Sequence, residues 1–185
     1  MNASERLLPH GPDAVIAVRP GRPADAAALA RLAARTFQET FGPANDPGDM
    51  ALYLSRTYGL AQQTAELTDP RIATLLAEVE GALAGFAQLR SGPAPSCAVG
   101  PAPIELQRFY VDGPWQGRGV AQALMQHVLD EAIRRGAATL WLAVWEHNVR
   151  AQAFYRKCGL VDVGSQPFLL GTDRQTDRIM TRALS

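Results

Sequence analysis

The sequence predicts a single α/β domain, and two features of its pattern support that prediction. Short apolar runs alternate with amphipathic segments of helical period, and glycines close the helical segments of the second half. Segments typical of β-hairpins stand at both ends of a central strand–helix–strand–helix unit. A chain of 185 residues can bury the core of one domain. We predict a flexible N-terminal arm at residues 1–14 and the domain at residues 15–185.

In the first half, the pattern predicts a strand, an alanine-rich helix opened by Pro23, two short helices and a β-hairpin around Gly81. These elements span residues 15–20, 23–41, 50–58, 60–67 and 72–90. Residues 91–103 are rich in proline and glycine and predict a mobile loop rather than a domain boundary.

The second half is more regular. Its predicted order is a strand, a helix that Gly136 ends, a strand, a helix that Gly159 ends and a final pair of strands. The corresponding residues are 104–111, 116–136, 138–145, 148–159, 161–170 and 176–184.

Composition narrows the classes of partner. The 18 basic and 18 acidic residues cancel, and no run of like charges indicates a nucleic acid or membrane partner. Cys97 and Cys158 form no Cys-x-x-Cys pair, and His127 and His147 have no second histidine at ligand spacing, so we expect neither disulfide nor metal. Without a signal peptide or membrane span in the sequence, we expect a cytoplasmic protein.

The turn "QGRGVA", residues 116–121, is the first candidate site. It joins a predicted strand to a predicted helix, where free backbone N–H groups and the helix dipole favour a phosphate group. Gly117 and Gly119 let a pyrophosphate approach the backbone closely, and Arg118 either adds charge or points to solvent. An ordinary loop is the alternative. The turn lacks the lysine of a Walker motif and the third glycine of the dinucleotide fingerprint.

The same turn matches Gln/Arg-x-x-Gly-x-Gly/Ala, the pyrophosphate signature of the GCN5-related N-acetyltransferase (GNAT) family. "ELQRFYV" before it resembles the family's fourth strand, and "LWLAVWEHNVRAQAFYRKCGL" resembles its fifth strand and the helix that follows. The resemblance covers residues 15–185 and is most specific over residues 105–160. It implies a mixed, twisted sheet whose fourth and fifth strands splay apart around acetyl-coenzyme A (acetyl-CoA), the cosubstrate, and it implies no metal.

The resemblance also assigns residues to the cosubstrate. The backbone of the fourth strand should pair with the pantetheine arm, the amides of the turn should hold the pyrophosphate, and Asn148 should bond pantetheine or order the site. The implied cosubstrate-binding residues are Phe109, Tyr110, Val111, Gln116, Gly117, Arg118, Gly119, Val120, Ala121 and Asn148.

Two residues have implied catalytic roles. Tyr155 falls where many members place a general acid, and a neutral tyrosine can protonate the departing sulfur. Glu105 has the spacing of the glutamate base of the family's histone acetyltransferases, which would take a proton from an ammonium acceptor. On an alternating strand it should share a face with Gln107, Phe109 and Val111. A water relay and a surface role for Glu105 stay open.

The expected acceptor is a primary amine. Seven acids against two arginines between residues 37 and 80 would give an acidic mouth that attracts cations. "TFQETFGPANDPGDMALYL" resembles the N-terminal region of a subgroup related to polyamine (spermidine) acetyltransferases. A small-molecule amine, a peptide amine and a homodimer all stay open, as do two other classes, a non-catalytic acetyl-CoA-binding module and a nucleotide-dependent oxidoreductase. We expect the first two helices and the proline-rich loop to set specificity.

Overall fold

One seven-stranded sheet organises residues 15–185, the part of the chain that the computed structural model describes. The predicted arm, residues 1–14, lies outside the described residues. The strand order is β1-β2-β3-β4-β5-β7-β6, and every neighbouring pair is antiparallel except β4 and β5. The strands are β1 Ile16–Pro20, β2 Ile72–Val79, β3 Ala82–Ser91, β4 Pro103–Val111, β5 Thr139–Trp145, β6 Val161–Leu170 and β7 Asp173–Ala183.

Five α-helices cover the two faces of this sheet. They are α1 Ala26–Phe41, α2 Pro47–Thr57, α3 Leu60–Thr68, α4 Val120–Arg134 and α5 Val149–Lys157. The predicted helix from residue 116 instead begins at Val120, because Gly119 has a left-handed φ of 84° and stands at the N-cap position. A left-handed residue cannot continue a right-handed helix. The four residues before Val120 therefore form a separate turn.

Each face of the sheet has its own core. On the α4 face, Leu124 and Val128 of α4 pack with Leu142 of β5. On the opposite, α1 face, Leu29 and Phe37 pack in one cluster with buried residues of β2 and β3. Burying each such side chain contributes about 1.5–3 kcal/mol to folding, so the helical period found in the sequence is what attaches α1 and α4 to the sheet.

The strands β4 and β5 separate soon after they meet. Their parallel pairing extends over three positions and ends where Glu105 faces Trp141. From there to the ends of both strands, neither borders the other, which confirms the predicted splay. The facing edges of β4 and β5 therefore leave a gap in the middle of the sheet.

A β-bulge in β4 shifts the side chains that follow it. Gln88 of β3 pairs with Arg108, whereas the next residue, Leu89, pairs with Leu106, so Gln107 has no partner. One extra residue reverses the alternation of a strand. Glu105 consequently lies on the α1 face with Arg108, and the prediction that it shares a face with Phe109 and Val111 is wrong.

The proline-rich segment before β4 packs against the sheet. Ala98 is 5% exposed and contacts Trp141 of β5 and Ile179 of β7. No residue between 92 and 102 lines the central cleft described below. The prediction that this loop shapes the mouth of the site is therefore wrong, because its alanine and cysteine cover the α1 face of β5 and β7 instead.

Candidate active site

A cleft of about 670 Å³ runs through the gap between β4 and β5. It is lined from the α4 face by the start of α4 and by α5, and from the α1 face by α1, α2 and the β6–β7 hairpin. A molecule in the gap can therefore be reached from both sides of the sheet. The cleft brings together the two predicted catalytic residues, Glu105 and Tyr155, with most of the predicted binding residues.

The turn before α4 offers unused backbone donors to this cleft. Gly117 and Gly119 both have left-handed φ angles, 77° and 84°. In the described structure, no backbone acceptor bonds the amides from Gly117 to Ala121, and no side chain caps α4. No heavy atom lies within 4 Å of a Cβ placed on Gly117. Free amides at a helix N-terminus bind phosphate groups, so the turn fits the pyrophosphate of a coenzyme A.

Gln116 fixes the turn through its side chain. Its Nε2 donates to the Val111 carbonyl at 2.9 Å, and its Oε1 accepts from Arg150 Nη1 at 2.7 Å. The first residue of the signature thus links the end of β4 to the start of α5. Arg150 brings a positive charge to the turn that the sequence did not reveal, because it belongs to a different helix. Arg118 places its guanidinium 5.8 Å from the Trp115 ring centre.

The free edge of β4 carries Phe109, Tyr110 and Val111. Phe109 stacks on Phe154 of α5 with ring centres 5.5 Å apart. Tyr110 points to the α1 face and stacks on Phe86 at 5.4 Å. The side chains of these residues point to different faces, and what all three present to the gap is their backbone edge. This arrangement fits an extended pantetheine arm that pairs with the strand.

Asn148 and Tyr155 both belong to the α5 segment. Asn148 is the N-cap of α5, where its Oδ1 accepts the amide of Ala151 at 3.1 Å, so it positions this helix. Tyr155 is 8% exposed and lies edge-on to Phe109, with ring centres 6.2 Å apart. Burial, with a smaller effect of Cys158, raises the pKa of Tyr155 above its ordinary value of 10.0. A neutral phenol that borders the cleft can donate a proton.

Glu105 borders the cleft from the α1 face. Its carboxylate lies 3.9 Å from Arg90 Nε, across the β3–β4 ladder. Burial raises the pKa of Glu105 above its ordinary value of 4.5, and Arg90 and Arg108 oppose part of that rise. A carboxylate with a raised pKa is a better proton acceptor. The acid candidate Tyr155 and the base candidate Glu105 therefore approach the gap from opposite faces of the sheet.

An aromatic wall covers the α1 side of the cleft. Phe37 stacks on Tyr53 at 4.7 Å, Tyr53 meets Phe168 edge-on at 5.8 Å, and Phe41 contacts Trp145 at 5.6 Å between ring centres. Trp145 lines the cleft because it ends β5 just where β4 has moved away. The wall provides an apolar surface for a substrate.

Asp177 is a second cleft residue that the sequence did not reveal. It lies in β7 opposite Trp145 of β5 and is 8% exposed. Burial, with a smaller effect of Glu146, raises the pKa of Asp177 from its ordinary value of 3.8 to about 6. The only feature of the sequence that points to Asp177 as a site residue is the presence of an aspartate inside a predicted strand.

The acids of residues 37–80 do not form the predicted acidic mouth. Of these seven described residues, only Glu39 lines the cleft. The other acids are used elsewhere: Asp46 caps α2, Asp49 accepts from Thr172, Glu66 pairs with Arg108, Asp69 with Arg71, Glu78 with Arg19, and Glu80 turns the β2–β3 hairpin. Besides Glu39, the acids of the cleft come from the sheet: Glu105 from β4 and Asp177 from β7.

Among residues 15–185, no three His, Cys, Asp or Glu side chains cluster as metal ligands would. None of the helices in this range has the length and apolar character that a bilayer crossing requires.

The chain is similar to known N-acetyltransferases. A Mycobacterium tuberculosis protein named as an uncharacterized N-acetyltransferase is 38% identical over 160 residues, which cover 86% of this chain and 98% of the relative. The Escherichia coli [ribosomal protein bS18]-alanine N-acetyltransferase is 45% identical over 49 residues, 26% of this chain and 33% of that protein. The PaiA N-acetyltransferase of Thermoplasma acidophilum, solved with coenzyme A, has the same fold with a TM-score of 0.72. That likeness covers 91% of this chain and 99% of the other at 19% identity.

The sequence also matches the acetyltransferase (GNAT) family over residues 29–160, a range that contains the turn, the gap and Tyr155. The match spans most of the chain and agrees with the parallel, splayed β4–β5 pair. This chain therefore belongs to the acetyltransferase (GNAT) family and is an acyl-CoA-dependent N-acetyltransferase.

Proposed function

We propose that the enzyme transfers the acetyl group of acetyl-CoA to the nitrogen of a primary amine by direct attack in a ternary complex. The observation that carries this proposal is the position of Tyr155 and Glu105 on opposite sides of one gap in the sheet. A thioester in that gap meets a proton donor on the α4 face and a carboxylate on the α1 face. The cosubstrate and the acceptor then enter from different faces.

The cosubstrate is held by backbone more than by side chains. The amides of residues 117–121 bind the pyrophosphate, and Arg118 and Arg150 supply charge beside it. The free edge of β4 at Phe109, Tyr110 and Val111 pairs with the pantetheine arm. Asn148 keeps α5, and with it Tyr155, in position. When bound, acetyl-CoA supplies an electrophilic thioester carbonyl next to these groups.

Glu105 and Tyr155 then carry out the proton transfers of the reaction. Glu105 accepts a proton from the ammonium form of the acceptor, directly or through water, which leaves a nitrogen lone pair to form the new C–N bond. Backbone N–H groups at the edge of β4 donate to the carbonyl oxygen as charge builds there. Tyr155 protonates the sulfur as the C–S bond breaks, so that a thiol leaves rather than a thiolate. The nitrogen loses its second proton as it becomes an amide, and that proton restores the phenol of Tyr155.

Two acceptor classes fit this proposal. A small polyamine-like amine is supported by the resemblance of residues 36–54 to polyamine acetyltransferases and by the carboxylates Glu105 and Asp177 in the cleft. A peptide amine is supported by the stretch shared with the enzyme named for ribosomal protein bS18.

The compartment and the assembly state belong to the same proposal. A reducing cytoplasm fits the two free cysteines, Cys97 and Cys158. A homodimer through the edge strand β6 fits its exposed Val161 and Leu169. Sedimentation of the purified enzyme tests the dimer, and a monomer at all concentrations refutes it.

The test is coenzyme A release from acetyl-CoA in the presence of a panel of amines that includes spermidine and short peptides. We expect turnover on at least one amine class and less from Gly119→Val at limiting acetyl-CoA, because a β-branched residue fits the left-handed φ of the turn poorly. Tight acetyl-CoA binding without coenzyme A release on any amine would contradict the proposed reaction.

A further inference from the structure

Asp177 is a buried carboxylate that the proposed reaction does not use. It lines the cleft from β7 with 8% of its surface exposed. Within residues 15–185, no group donates a hydrogen bond to it and no cation pairs with it. A buried carboxylate without partners is costly to folding, so such a group is typical of a site whose partner is a ligand.

The arginines around Asp177 are engaged by other acids. Arg178, its neighbour on β7, points to the other side of the strand and pairs with Asp162 at 2.7 Å. Arg108 of β4 forms an ion pair with Glu66 and lies 5.0 Å from the Tyr58 ring centre. The protein thus supplies no counter-charge at Asp177, and a cationic ligand would meet an uncompensated negative charge.

The surroundings of this carboxylate favour an organic cation over a hydrated ion. Trp145 is its cross-strand neighbour on β5, and Tyr53 and Phe168 continue the wall on the same face. Aromatic faces attract ammonium groups and cover the methylene groups attached to them. A carboxylate set beside such a wall binds an alkylammonium group well.

The position of Asp177 separates it from the reacting atoms. Strand β5 lies between β7 and the gap, so Asp177 stands one strand spacing, about 4.8 Å, behind the strand that borders the thioester. An ammonium paired with a buried carboxylate is stabilised in its charged form and is a poor nucleophile. The nitrogen at Asp177 is therefore a different one from the nitrogen that attacks.

We propose that Asp177 anchors a second ammonium group of the acceptor, so that the preferred substrates are diamines or polyamines with a short methylene spacer. This inference rests on the proposed function and names its substrate class. One ammonium pairs with Asp177, the spacer lies along Trp145, and the other nitrogen reaches the gap, where Glu105 takes its proton. A peptide with a single N-terminal ammonium would leave Asp177 unpaired.

The experiment compares putrescine with n-pentylamine, in which a methyl group replaces the second ammonium. We expect the wild-type enzyme to have a kcat/KM at least about tenfold higher for putrescine, the value of one charge-assisted hydrogen bond. Asp177→Asn should remove this preference by lowering kcat/KM for putrescine about 10- to 100-fold, with little change for n-pentylamine. Asp177→Glu should keep part of it, and Asp173→Asn, an exposed acid on the same strand, should keep all of it.

Three results would overturn the anchor: no preference for putrescine in the wild type, an unchanged preference in Asp177→Asn, or equal losses on both amines. If no amine releases coenzyme A, the proposed reaction fails instead. Calorimetry of putrescine binding to the coenzyme A complex then tests the anchor alone. Binding of equal strength to wild type and Asp177→Asn would refute it.

Discussion

Replacing Asp177 by asparagine should make the free enzyme more stable at neutral pH, although the change removes a charge from the middle of the sheet. Burial is the main cause of the raised pKa of Asp177, about 6 against an ordinary value of 3.8, and Glu146 adds to it. Tyr53 of α2 is the other titratable group that faces it on the cleft side. The charged form is therefore less favourable in the folded protein than in the unfolded chain.

The magnitude follows from the difference between the two pKa values. At about 1.36 kcal/mol per pKa unit, that difference corresponds to about 3 kcal/mol of lost stability when Asp177 is ionised. Because the cleft is open to water, screening reduces this to about 1–2 kcal/mol. For a domain of this size, we expect Asp177→Asn to raise the melting temperature by about 2–8 °C at pH 7.5.

The pH dependence supplies a second readout. Below pH 3.8, the Asp177 carboxyl is protonated in both the folded and unfolded states, so it does not lower the free energy of unfolding. Between that pH and about 6, the folded state holds the proton more tightly, so the free energy of unfolding falls as the pH rises, and above this window the loss is complete. Asp177→Asn should lack this decline.

Urea titrations of wild type, Asp177→Asn and the control Asp173→Asn across this pH range measure both effects. A lower free energy of unfolding for Asp177→Asn at pH 7.5 would refute the reasoning, because it would show that the carboxylate has a stabilising partner within the protein. A decline of the same size in both Asp177→Asn and wild type would assign the pH dependence to another group.

Three further predictions concern the reaction. Tyr155→Phe should lower kcat at least about 100-fold and leave acetyl-CoA affinity unchanged by calorimetry; unchanged turnover would remove Tyr155 from the acid role. Gly119→Val should weaken acetyl-CoA binding at least about tenfold, because a β-branched residue fits a left-handed φ poorly, whereas the control Gly92→Ala should bind normally. With n-pentylamine, which lacks the ammonium that Asp177 would bind, kcat/KM of the wild type should rise with pH as Glu105 loses its proton, at a pH above the ordinary range of a glutamate because its pKa is raised. Glu105→Gln should be slower and lack that rise, and a retained rise would favour a water relay with another base.

Local patterns were sufficient for much of this fold and for the elements that form the cosubstrate half of the proposed site. The glycine turn, the strands on either side of α4 and the capped helix with Tyr155 are all encoded by neighbouring residues, and the structure has them in the predicted order. The turn chemistry of Gly117 and Gly119 requires no knowledge of distant contacts.

The acceptor half depends on contacts between distant segments. Asp177 meets Trp145 only because β7 inserts between β5 and β6, an order that no local pattern specifies. Glu66 is one of the acids counted toward the predicted acidic mouth, but it is buried and pairs with Arg108 of β4. Counting charges along the chain therefore predicted an acidic surface in the wrong place, because ion pairing decides which acidic side chains remain free to face the cleft.

The bulge at Gln107 connects these two halves, because one residue without a partner decides which side chains of β4 face each side of the sheet. Before it, Leu106 points to the α4 face; after it, Arg108 and Tyr110 point to the α1 face while Phe109 reaches α5. Deleting Gln107 would force the side chains of one half of β4, before or after the bulge, onto the opposite face of the sheet. If the half after the bulge changed face, the Arg108 guanidinium would lose Glu66 and enter an apolar core, at a cost of about 3–5 kcal/mol for a broken buried pair.

We therefore expect the Gln107 deletion to unfold the protein or to abolish acetyl-CoA binding, as measured by circular dichroism and calorimetry. Deleting Gly92 from the loop before β4 is the matched control, because no neighbouring atom lies within 4 Å of a Cβ there. If the Gln107 deletion kept both fold and binding, the register of β4 would not be set by the bulge, and the placement of Glu105 opposite Tyr155 would need another cause. The separation of Glu105 from Tyr155 would then result from the splay alone, because the divergence of β4 from β5 opens both faces of the sheet to one cleft.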